Sequence, residues 1–331
     1  MQFPWQNSPQ PLNIGHWPTP LEPLPRLSAE LGGPNIWVKR DDCTGLATGG
    51  NKTRKLAYLL SDAQNQEADV VITYGAVQSN HARQTAAACA KLGIACHLLL
   101  AQRVPYTSDN YESGGNVLLD RLCGAQVHIH AVDDIGTARK ELLTQLEQEN
   151  KRVYEIPAGG SNPIGALGYS QCAMELSQQC KTLGIAPGTV MHASASSGTQ
   201  AGLVYGYRWQ PNPPQVLGIN VFHPDPTTLE ERVQHLTQTM HQQFGQPNNN
   251  VEIEVNHAYF GEGYGLPTQE TLSAISMLAE LEGLLFDPVY SGKAVAALID
   301  QINLGNLDHT DDVILIHTGG SVALNVYSDL F

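Results

Sequence analysis

Residues 68–100 read ADVVITYGAVQSNHARQTAAACAKLGIACHLLL and contain the strand–turn–helix–strand unit that decides the fold. The segments 68–74 and 94–100 are apolar without alternation, which predicts strands buried on both faces. Between them, residues 82–92 form an alanine-rich predicted helix that Gly93 closes. Strands joined through a helix in this way indicate an α/β fold with a parallel sheet.

The same succession of helices and strands continues on both sides of this unit. Further strands are predicted at 36–42, 126–130, 152–156, 188–193, 216–221 and 312–317, and further helices at 55–63, 111–122, 134–150, 165–181, 203–209, 227–244, 268–282 and 293–304. We therefore predict two open parallel-sheet lobes with helices on both faces and a ligand cleft between them. The smaller lobe is predicted at 58–165, inserted into a larger one built from 1–57 and 166–331. Residues 1–26 contain seven prolines and are predicted to form an extended surface arm.

Composition describes an enzyme-sized globular protein and argues against several functions. The chain has 331 residues and a formal net charge of −14, which disfavours general nucleic-acid binding because neutralising phosphates needs a basic surface. No apolar run approaches the roughly 18 residues of a membrane span, and no secretory signal is expected from the proline-rich N-terminus. The six cysteines have no CxxC spacing, so we expect free thiols in a reducing cytoplasm.

Two lysines follow a glycine pair at the start of a predicted helix. Lys52 and Lys55 are three residues apart, so both project to the same side of the helix. A lysine in such a place can carry its charge to a phosphate at the helix N-terminus. If it is desolvated beside another cation, it can instead lose its proton and attack an aldehyde. The local pattern alone is equally typical of a solvated basic pair after a flexible turn.

Ligands in open α/β sheets bind in the turns that follow the carboxyl ends of the strands. Four such turns are rich in small and hydroxyl residues: 75–81, 159–162, 193–202 and 318–320. The segment 194–199, Ser-Ala-Ser-Ser-Gly-Thr, best matches a phosphate-binding loop, whose N–H groups converge on an anion at the following helix. No Gly-Lys-Ser/Thr follows, which disfavours nucleoside triphosphate chemistry. Taken alone, the loop is also consistent with a structural N-cap.

An early lysine and a later phosphate loop together indicate one cofactor. Pyridoxal 5′-phosphate requires an amine for its aldehyde, a phosphate site and a partner for its pyridine nitrogen. Lys52, the loop at 194–199 and the strand-end Thr318 supply these groups in chain order. The sequence therefore predicts a pyridoxal phosphate enzyme.

Six motifs in this order resemble those of the D-cysteine desulfhydrase and 1-aminocyclopropane-1-carboxylate (ACC) deaminase family. They are Gly49-Gly-Asn-Lys-Thr-Arg-Lys-Leu56, Gln78-Ser-Asn-His81 with Arg83-Gln84, Pro157-Ala-Gly-Gly-Ser-Asn162, Gly263-Tyr-Gly265, Asp287-Pro-Val-Tyr-Ser-Gly-Lys293 and His317-Thr-Gly-Gly320. The resemblance extends from about residue 10 to near the C-terminus. It implies a fold type II enzyme of the tryptophan synthase β kind, which acts on a small amino acid as a homodimer.

The resemblance also implies roles for individual residues. Catalysis is assigned to Lys52, as Schiff-base lysine and base, and to Ser79, Tyr264 and Tyr290. The cofactor is expected to contact Lys52, Lys55, Asn80, Ala195, Ser196, Ser197, Gly198, Thr199, Tyr290 and Thr318. Within this set, Lys55 is placed near the phosphate and Asn80 on the ring oxygen. The substrate is expected to contact Gln78, Ser79, Asn80, His81 and Tyr264, with its carboxylate at a helix N-terminus.

Two positions distinguish members of this family. ACC deaminases resemble one another in having Glu after the Tyr of the Asp-Pro-Val-Tyr motif and Leu after the last strand, where this chain has Ser291 and Thr318. A carboxylate beside the pyridine nitrogen deepens the electron sink, whereas a neutral hydroxyl leaves it shallow but sufficient for β-elimination. Ser291 and Thr318 are the pair that the resemblance associates with D-cysteine desulfhydrases, so the resemblance implies β-elimination from D-cysteine to hydrogen sulfide, pyruvate and ammonia. Lys52, its pKa lowered by burial and by Lys55, is expected to abstract the Cα proton.

Particular residues argue against other functions or leave them open. ACC deamination is disfavoured by Ser291 and Thr318, whereas an L-cysteate sulfo-lyase or a racemase of the same fold stays open. A nicotinamide-dependent enzyme would need a Gly-x-Gly-x-x-Gly turn after its first strand, which this chain lacks. A pseudoenzyme that only binds pyridoxal phosphate is disfavoured, because such a protein need not keep all four of the residues Lys52, Ser79, Tyr264 and Tyr290.

Three further polar residues receive structural interpretations. His128 and His130 alternate on a predicted strand with no neighbouring acid or cysteine, so we expect packing or surface roles and no metal site. Cys43 lies near the lysine loop, but no neighbouring group in the sequence activates its thiol, so no reactivity is assigned to it.

Overall fold

A computed structural model of the chain describes residues 3–105, 108–247, 249–307 and 312–331. Its strands are β1 (Leu21–Pro23), β2 (Ile36–Arg40), β3 (Val70–Ala76), β4 (Ala95–Gln102), β5 (Gln126–Ala131), β6 (Val153–Ile156), β7 (Pro187–Ser194), β8 (Gln215–Asn220), β9 (Glu254–Asn256) and β10 (Asp312–His317). Its α-helices are α1 (Pro25–Leu31), α2 (Lys52–Asn65), α3 (Asn80–Leu92), α4 (Gly115–Leu122), α5 (Ile135–Gln148), α6 (Pro163–Leu183), α7 (Gly198–Tyr207), α8 (Pro226–Phe244), α9 (Gln269–Glu282) and α10 (Ser291–Asn303).

The central unit of the sequence forms a four-stranded parallel sheet in the order β5-β4-β3-β6. Alternate residues of β3 enter two different cores: Val71 joins the cluster that contains α2 and α3, while Ile72 packs with Leu142 and Leu146 of α5. Because both faces of the strand are covered, no position along it favours a polar side chain. This explains the unbroken apolar run in the sequence.

The second sheet has six strands in the order β1-β2-β10-β7-β8-β9, parallel except for the β1–β2 pair. Its central strand β10 repeats the two-faced packing of β3. Leu315 lies in the cluster that contains α10, and Ile316 lies in the cluster that contains α6 and α7. The predicted fold class, two parallel sheets with helices on both faces, is confirmed.

All strands of the four-stranded sheet come from residues 70–156, and both flanking parts of the chain contribute to the six-stranded sheet. Helix α2 packs against α3 and against α6 and so contacts both groups of elements. The lobe boundaries at 58–165, with 1–57 and 166–331 outside, stay a prediction.

Some elements differ from the sequence prediction for local reasons. Helix α4 begins at Gly115, four residues later than predicted. Gly115 has φ +55°, which lies outside the right-handed helical region, so the residues before it cannot belong to the same helix. Helix α7 begins at Gly198, five residues earlier than predicted. The short elements β1, α1 and β9 were not predicted, and two of them begin within or beside the proline-rich arm.

The N-terminal arm packs closely on the helices of the larger sheet. Trp5 is buried beside Tyr205 of α7, and the Gln6 N–H donates to the Phe244 carbonyl at the end of α8 at 3.0 Å. Further along, the Leu12 N–H donates to the Ala57 carbonyl of α2 at 2.9 Å. The arm therefore covers helix faces that would otherwise expose apolar side chains.

A buried ionic cluster connects the segment before the lysine loop to α2 and α6. Arg54 donates to Asp41 at 2.8 Å and to Glu175 at 2.9 Å, and Lys39 contacts Glu175 at 2.5 Å. Burial alone would raise the pKa of Asp41, but the adjacent Arg54 more than offsets this effect and holds the pKa below its usual value. The cluster fixes the position of α2, whose first turn carries Lys52.

Replacing Arg54 with Met should leave the Asp41 and Glu175 carboxylates buried without their guanidinium partner. We expect the free energy of unfolding, measured in urea, to fall by about 3–5 kcal/mol. The control is Arg152→Met, which removes a solvent-exposed pair with Glu67 and Asp69 and should leave the urea midpoint unchanged. Equal effects of the two substitutions would contradict a structural role for the buried cluster.

Candidate active site

A cavity of about 980 Å³ opens where the carboxyl ends of the two sheets face each other. Most residues that the sequence placed in the site line this cavity: Lys52, Ser79, Asn80, His81, Ala195, Ser196, Ser197, Thr199, Tyr264, Tyr290 and Thr318. Lys55, Gln78 and Gly198 lie immediately behind the wall. The two halves of the predicted site thus come from strand ends that are far apart in the chain.

The lysine loop is held in place by glycine geometry and by one arginine. Gly49 has φ +74°, and a Cβ there would lie 2.0 Å from the Asp42 carbonyl oxygen, so only glycine is compatible with this turn. Arg83 of α3 donates to the carbonyls of Ala47 at 2.7 Å and Gly49 at 3.0 Å. The loop therefore enters α2 with Lys52 directed at the cavity.

The end of β10 packs directly on the same loop. A Cβ on Gly319 would lie 2.8 Å from the Gly50 Cα, and the Asn51 N–H donates to the Thr318 carbonyl at 3.0 Å. Behind Thr318, the His317 ring stacks on Phe286 with centroids 3.9 Å apart. The Thr318 hydroxyl and the Lys52 amine consequently share one wall of the cavity.

The Lys52 amine makes one hydrogen bond to a neutral side chain in the described part of the chain. It donates to Asn51 Oδ1 at 3.1 Å, and Asn51 Nδ2 in turn donates to Thr199 Oγ1 at 3.1 Å. Burial lowers the pKa of Lys52 to about 8, and the Asp287 carboxylate acts weakly in the opposite direction. Burial first and the Lys52 charge second lower the pKa of Lys55. Because repulsion between two ammonium groups is mutual, the expected effect of Lys55 on Lys52 stays a prediction.

Residues 194–199 form a compact loop at the N-terminus of α7. The Gly198 N–H donates to Ser161 Oγ at 3.2 Å, and Ser161 Oγ donates to Ser196 Oγ at 2.8 Å. A Cβ on Gly198 would lie 2.6 Å from Ser161 Oγ and 2.9 Å from Lys55 Nζ. The early start of α7 therefore brings its free N–H groups, two serine hydroxyls and the buried Lys55 amine to one point, which suits an anion.

The opposite wall is the N-terminus of α3. Ser79 is its N-cap and accepts from the Ala82 N–H at 3.1 Å, which leaves the N–H groups of Asn80 and His81 without intrahelical partners. The expected capping role of Ser79 and its place in the cavity wall thus coexist. These N–H groups lie at the positive end of the helix dipole and suit a carboxylate.

The hydrogen bonds of His81 define its tautomer. Thr73 Oγ1 donates to the Ile156 carbonyl at 2.9 Å, so it can only accept from His81 Nε2, 2.7 Å away. Burial, and secondarily Lys52 and Lys55, hold the pKa of His81 well below its usual value. His81 is therefore neutral with the proton on Nε2, and its Nδ1 is an acceptor that would not donate to a carboxylate.

A ladder of aromatic rings forms the far wall. The Tyr264 and Tyr290 hydroxyls hydrogen-bond to each other, and the Tyr264 ring meets Phe222 edge-on with centroids 4.8 Å apart. Arg103, at the cavity rim, lies over the Phe222 ring at 5.7 Å. Burial raises the pKa of both tyrosines, so both hydroxyls are protonated at neutral pH.

A family model described as pyridoxal-phosphate dependent enzyme matches residues 12–319.

The chain belongs to this family.

A D-cysteine desulfhydrase of Klebsiella pneumoniae is 44% identical to it over 317 residues, which cover 94% of each chain. Among solved structures, an ACC deaminase homologue superimposes with a TM-score of 0.86 at 33% identity, covering 97% of this chain and 95% of the other. A hydrogen sulfide-producing enzyme from Fusobacterium nucleatum, at 15% identity and a TM-score of 0.65 over 95% of this chain and 98% of its own, shares the fold. The predicted family, the fold type II architecture and the pyridoxal phosphate cofactor are confirmed.

The site of this pyridoxal-phosphate dependent enzyme fits its cofactor. The Lys52 amine is available for the aldehyde, the start of α7 offers N–H groups to the phosphate, and the absence of a Cβ at Gly198 keeps that approach open. Asn80, from the N-terminus of α3, and Thr318, beside Lys52, add neutral polar groups to the cavity lining. Residues 3–105, 108–247, 249–307 and 312–331 contain no group of three or more side chains able to hold a metal ion.

Other features of this enzyme bear on the remaining sequence predictions. His128 stacks on His97 with centroids 5.4 Å apart, as expected of a packing residue. Burial and Asp42 raise the pKa of the Cys43 thiol, so Cys43 is not activated. In the part of the chain that the structure describes, no helix has the length and apolar character needed to cross a bilayer.

Gln78 is the sequence-predicted substrate residue whose polar atoms are used elsewhere. Its Nε2 donates to the Gly114 carbonyl at 3.1 Å and to that of Tyr111, and its Oε1 accepts from the Asn116 N–H at 2.8 Å. The side chain therefore holds the loop that leads into α4 and does not reach the cavity. Its place in the Gln78-Ser-Asn-His81 motif could not reveal this, because the loop it binds lies more than thirty residues later.

Several residues of the site were not assigned a role from the sequence. Asn51 and Ser161 lie inside quoted motifs, and the spacing of the lysine and the phosphate loop could have indicated them. Phe222 follows the carboxyl end of β8, which is the signal that sheet topology offers for ligand contacts. Arg103 directly follows the carboxyl end of β4, so the same rule could have indicated it. Asn116 follows no such rule, because it lies in α4 and reaches Asn80 only through tertiary packing.

Covalent attachment of pyridoxal phosphate to the cofactor-free protein should follow the neutral fraction of Lys52. Since folding lowers this pKa to about 8, the neutral amine is available at lower pH than in an exposed lysine. We expect the attachment rate, measured by stopped-flow absorbance, to rise about tenfold per pH unit below pH 8 and to level off above it. Lys52→Ala should abolish attachment and the surface change Lys91→Ala should not. A rate still rising tenfold per unit above pH 9 would contradict the lowered pKa.

Proposed function

We propose that this protein is a pyridoxal phosphate-dependent carbon–sulfur lyase that converts D-cysteine and water to hydrogen sulfide, pyruvate and ammonia. The 44% identity to a D-cysteine desulfhydrase over 94% of both chains supports this substrate. The observation that carries the reaction type is the neutral Thr318 hydroxyl on the same cavity wall as the partly buried Lys52 amine. No carboxylate takes its place beside the cofactor in the described residues of that wall.

The nearest buried carboxylate is already used for another purpose. Asp287 accepts from the N–H groups of Val289, Tyr290 and Ser291 at 2.8–3.0 Å and from Ser291 Oγ at 2.5 Å. Its oxygens therefore hold the turn that carries Tyr290 and are not free to pair with a pyridinium. When bound, pyridoxal phosphate withdraws the electrons released at Cα, and a neutral partner for its ring makes that withdrawal modest. Modest withdrawal favours β-elimination, in which a leaving group on Cβ accepts the electrons.

The chain's own residues provide binding and proton transfer for this reaction. We place the substrate carboxylate on the N–H groups of Asn80 and His81, with the Ser79 hydroxyl beside it. Lys52, neutral at a pH slightly above 8, is the base that takes the Cα proton. The hydroxyls of Tyr264 and Tyr290 face the remaining side; one donates to the other, and the accepting hydroxyl keeps its own proton to donate to the departing sulfur.

One observation favours a second candidate within the same chemistry. Arg103 at the rim carries a positive charge close to the aromatic wall, and in the described part of the chain it has no carboxylate within ion-pair distance. A sulfonate at Cβ would pair with this guanidinium. L-Cysteate sulfo-lyase activity is therefore the alternative, with sulfite as the leaving group, and the assay below includes it.

We further propose that the enzyme is a cytoplasmic homodimer. Its six cysteines are all free thiols, four of them buried, which is compatible with a reducing compartment. The homodimer follows from the family resemblance, and two exposed leucines one turn apart on α4, Leu118 and Leu122, are available for a contact. Light scattering of the purified protein would measure the mass, and a monomer at micromolar concentration would reject the dimer.

The function is tested by incubating the purified holoenzyme in parallel with D-cysteine, L-cysteine, L-cysteate and ACC. We expect sulfide and pyruvate from D-cysteine alone, and a loss of at least about a thousandfold in kcat for Lys52→Ala. Lys91→Ala, an exposed lysine on α3, is the matched control and should keep full activity. Sulfite from L-cysteate would select the second candidate. Production of 2-oxobutyrate from ACC would overturn the argument from Thr318.

A further inference from the structure

Asn116, in the first turn of α4, lies outside the cavity wall but contacts a residue that lines it. The side chain is fully buried. Its Nδ2 donates to the Gln78 backbone carbonyl at 3.1 Å and to Asn80 Oδ1 at 3.1 Å. Asn80 is therefore linked through Asn116 to helix α4, which does not line the cavity.

These bonds determine which way the Asn80 amide faces. A backbone carbonyl can only accept, so the Asn116 atom beside Gln78 O must be the nitrogen. Its second N–H then points at Asn80, and the Asn80 atom that receives it must be the oxygen. The Nδ2 of Asn80 is left on the other side of the amide, where it makes no hydrogen bond to the described residues; the Asp287 carboxylate lies on the same side, because a Cβ on Gly320 would be 2.8 Å from both Asn80 Nδ2 and Asp287 Oδ1.

The orientation of Asn116 is itself fixed at both ends. Gln78 Nε2 donates to the carbonyls of Gly114 and Tyr111, so its Oε1 is the atom that accepts from the Asn116 N–H at 2.8 Å. Asn116 Oδ1 has no partner in the described part of the chain, so the two bonds made by Nδ2 decide the rotamer. The orientations of the Gln78, Asn116 and Asn80 side-chain amides are thus fixed by hydrogen bonds to backbone carbonyls, which can only accept.

The Nδ2 atom of Asn80 has space beside it for a ligand atom. Gly320 lies against it, and a Cβ there would be 2.8 Å from Asn80 Nδ2. Because position 320 is glycine, the N–H group remains accessible from the cavity that Asn80 lines. An amide presented in this way is a hydrogen-bond donor, which suits an oxygen carrying negative charge.

We propose that Asn116 is a positioning residue that makes Asn80 a donor, and not an acceptor, toward the ring oxygen of bound pyridoxal phosphate. The inference rests on the proposed contact between Asn80 and that oxygen. Without Asn116 the Asn80 amide is free to turn over and present Oδ1, which repels the same oxygen. Loss of a hydrogen bond to a charged group corresponds to about a 10- to 100-fold loss of cofactor affinity.

Asn116→Ala and Asn116→Asp test this assignment in the full chain. For each variant we would measure the dissociation constant of pyridoxal phosphate, the absorption spectrum of the bound cofactor and the urea midpoint of the cofactor-free protein. We expect the dissociation constant to rise about 10- to 100-fold and the absorption band to shift. Ser170→Ala removes an equally buried donor to the Gly202 carbonyl away from the cavity and serves as the matched control. It should lower the midpoint while leaving affinity within twofold.

Asn116→Asp adds a signature that a merely structural role would not produce. Burial raises the pKa of the introduced carboxyl, so its protonated form can still donate one hydrogen bond at low pH. As pH rises the carboxylate can only accept, and it should draw the Asn80 N–H away from the cavity. The ratio of variant to wild-type dissociation constants should therefore increase with pH, whereas that of Asn116→Ala should stay constant.

A double-mutant cycle with Asn80→Ala keeps the test decisive even where a single variant folds poorly. If Asn116 acts through Asn80, adding Asn116→Ala to Asn80→Ala should change cofactor affinity no further. Additive losses, or destabilised Asn116 variants that bind pyridoxal phosphate as tightly as wild type, would overturn the proposal. Cofactor affinity does not depend on turnover, so failure of the D-cysteine assay would leave this result separately interpretable.

Discussion

Among the residues that the structure describes, no carboxylate lies within ion-pair distance of the Lys52 amine, and much of the surrounding structure holds this amine at the cavity wall. A charged group in such a place is unfavourable, and the group responds by losing its proton more easily. The lysine loop cannot relax to avoid this, because Gly49 packs against the Asp42 backbone, Gly50 packs against the Gln84 side chain and Arg83 holds two loop carbonyls. By holding Lys52 in this place, the rigid loop destabilises the charged form of the amine and so favours the neutral form, which is the nucleophile.

The second lysine makes the same region ready for an anion. Lys55 is buried one turn behind Lys52, and its Nζ donates to the Gly159 carbonyl at 3.0 Å, next to Gly198 at the start of α7. Burial lowers the pKa values of both amines, so a positive charge on either amine is unfavourable here. A phosphate group at the α7 N-terminus would stabilise that charge, so cofactor binding and the burial of both lysines are coupled by charge.

The features predicted from the sequence are those whose signal is local. The apolar strands, the lysine after its glycine pair, the hydroxyl-rich loop and Thr318 after the last strand each depend on a few adjacent residues. Gln78 shows where such reasoning ends, because its amide binds a loop that begins at Tyr111 and whose course is set by the positive φ of Gly115.

Asp287 connects the base to the far wall of the cavity. Its carboxylate accepts the N–H groups at the start of α10 and so fixes the backbone of Tyr290, whose hydroxyl contacts Tyr264. The same charge opposes the effect of burial on Lys52. Without that opposition the amine would be a weaker base, and with a carboxylate in direct contact it would remain protonated. Asp287 therefore moderates the effect of burial on Lys52 and also fixes the placement of Tyr290.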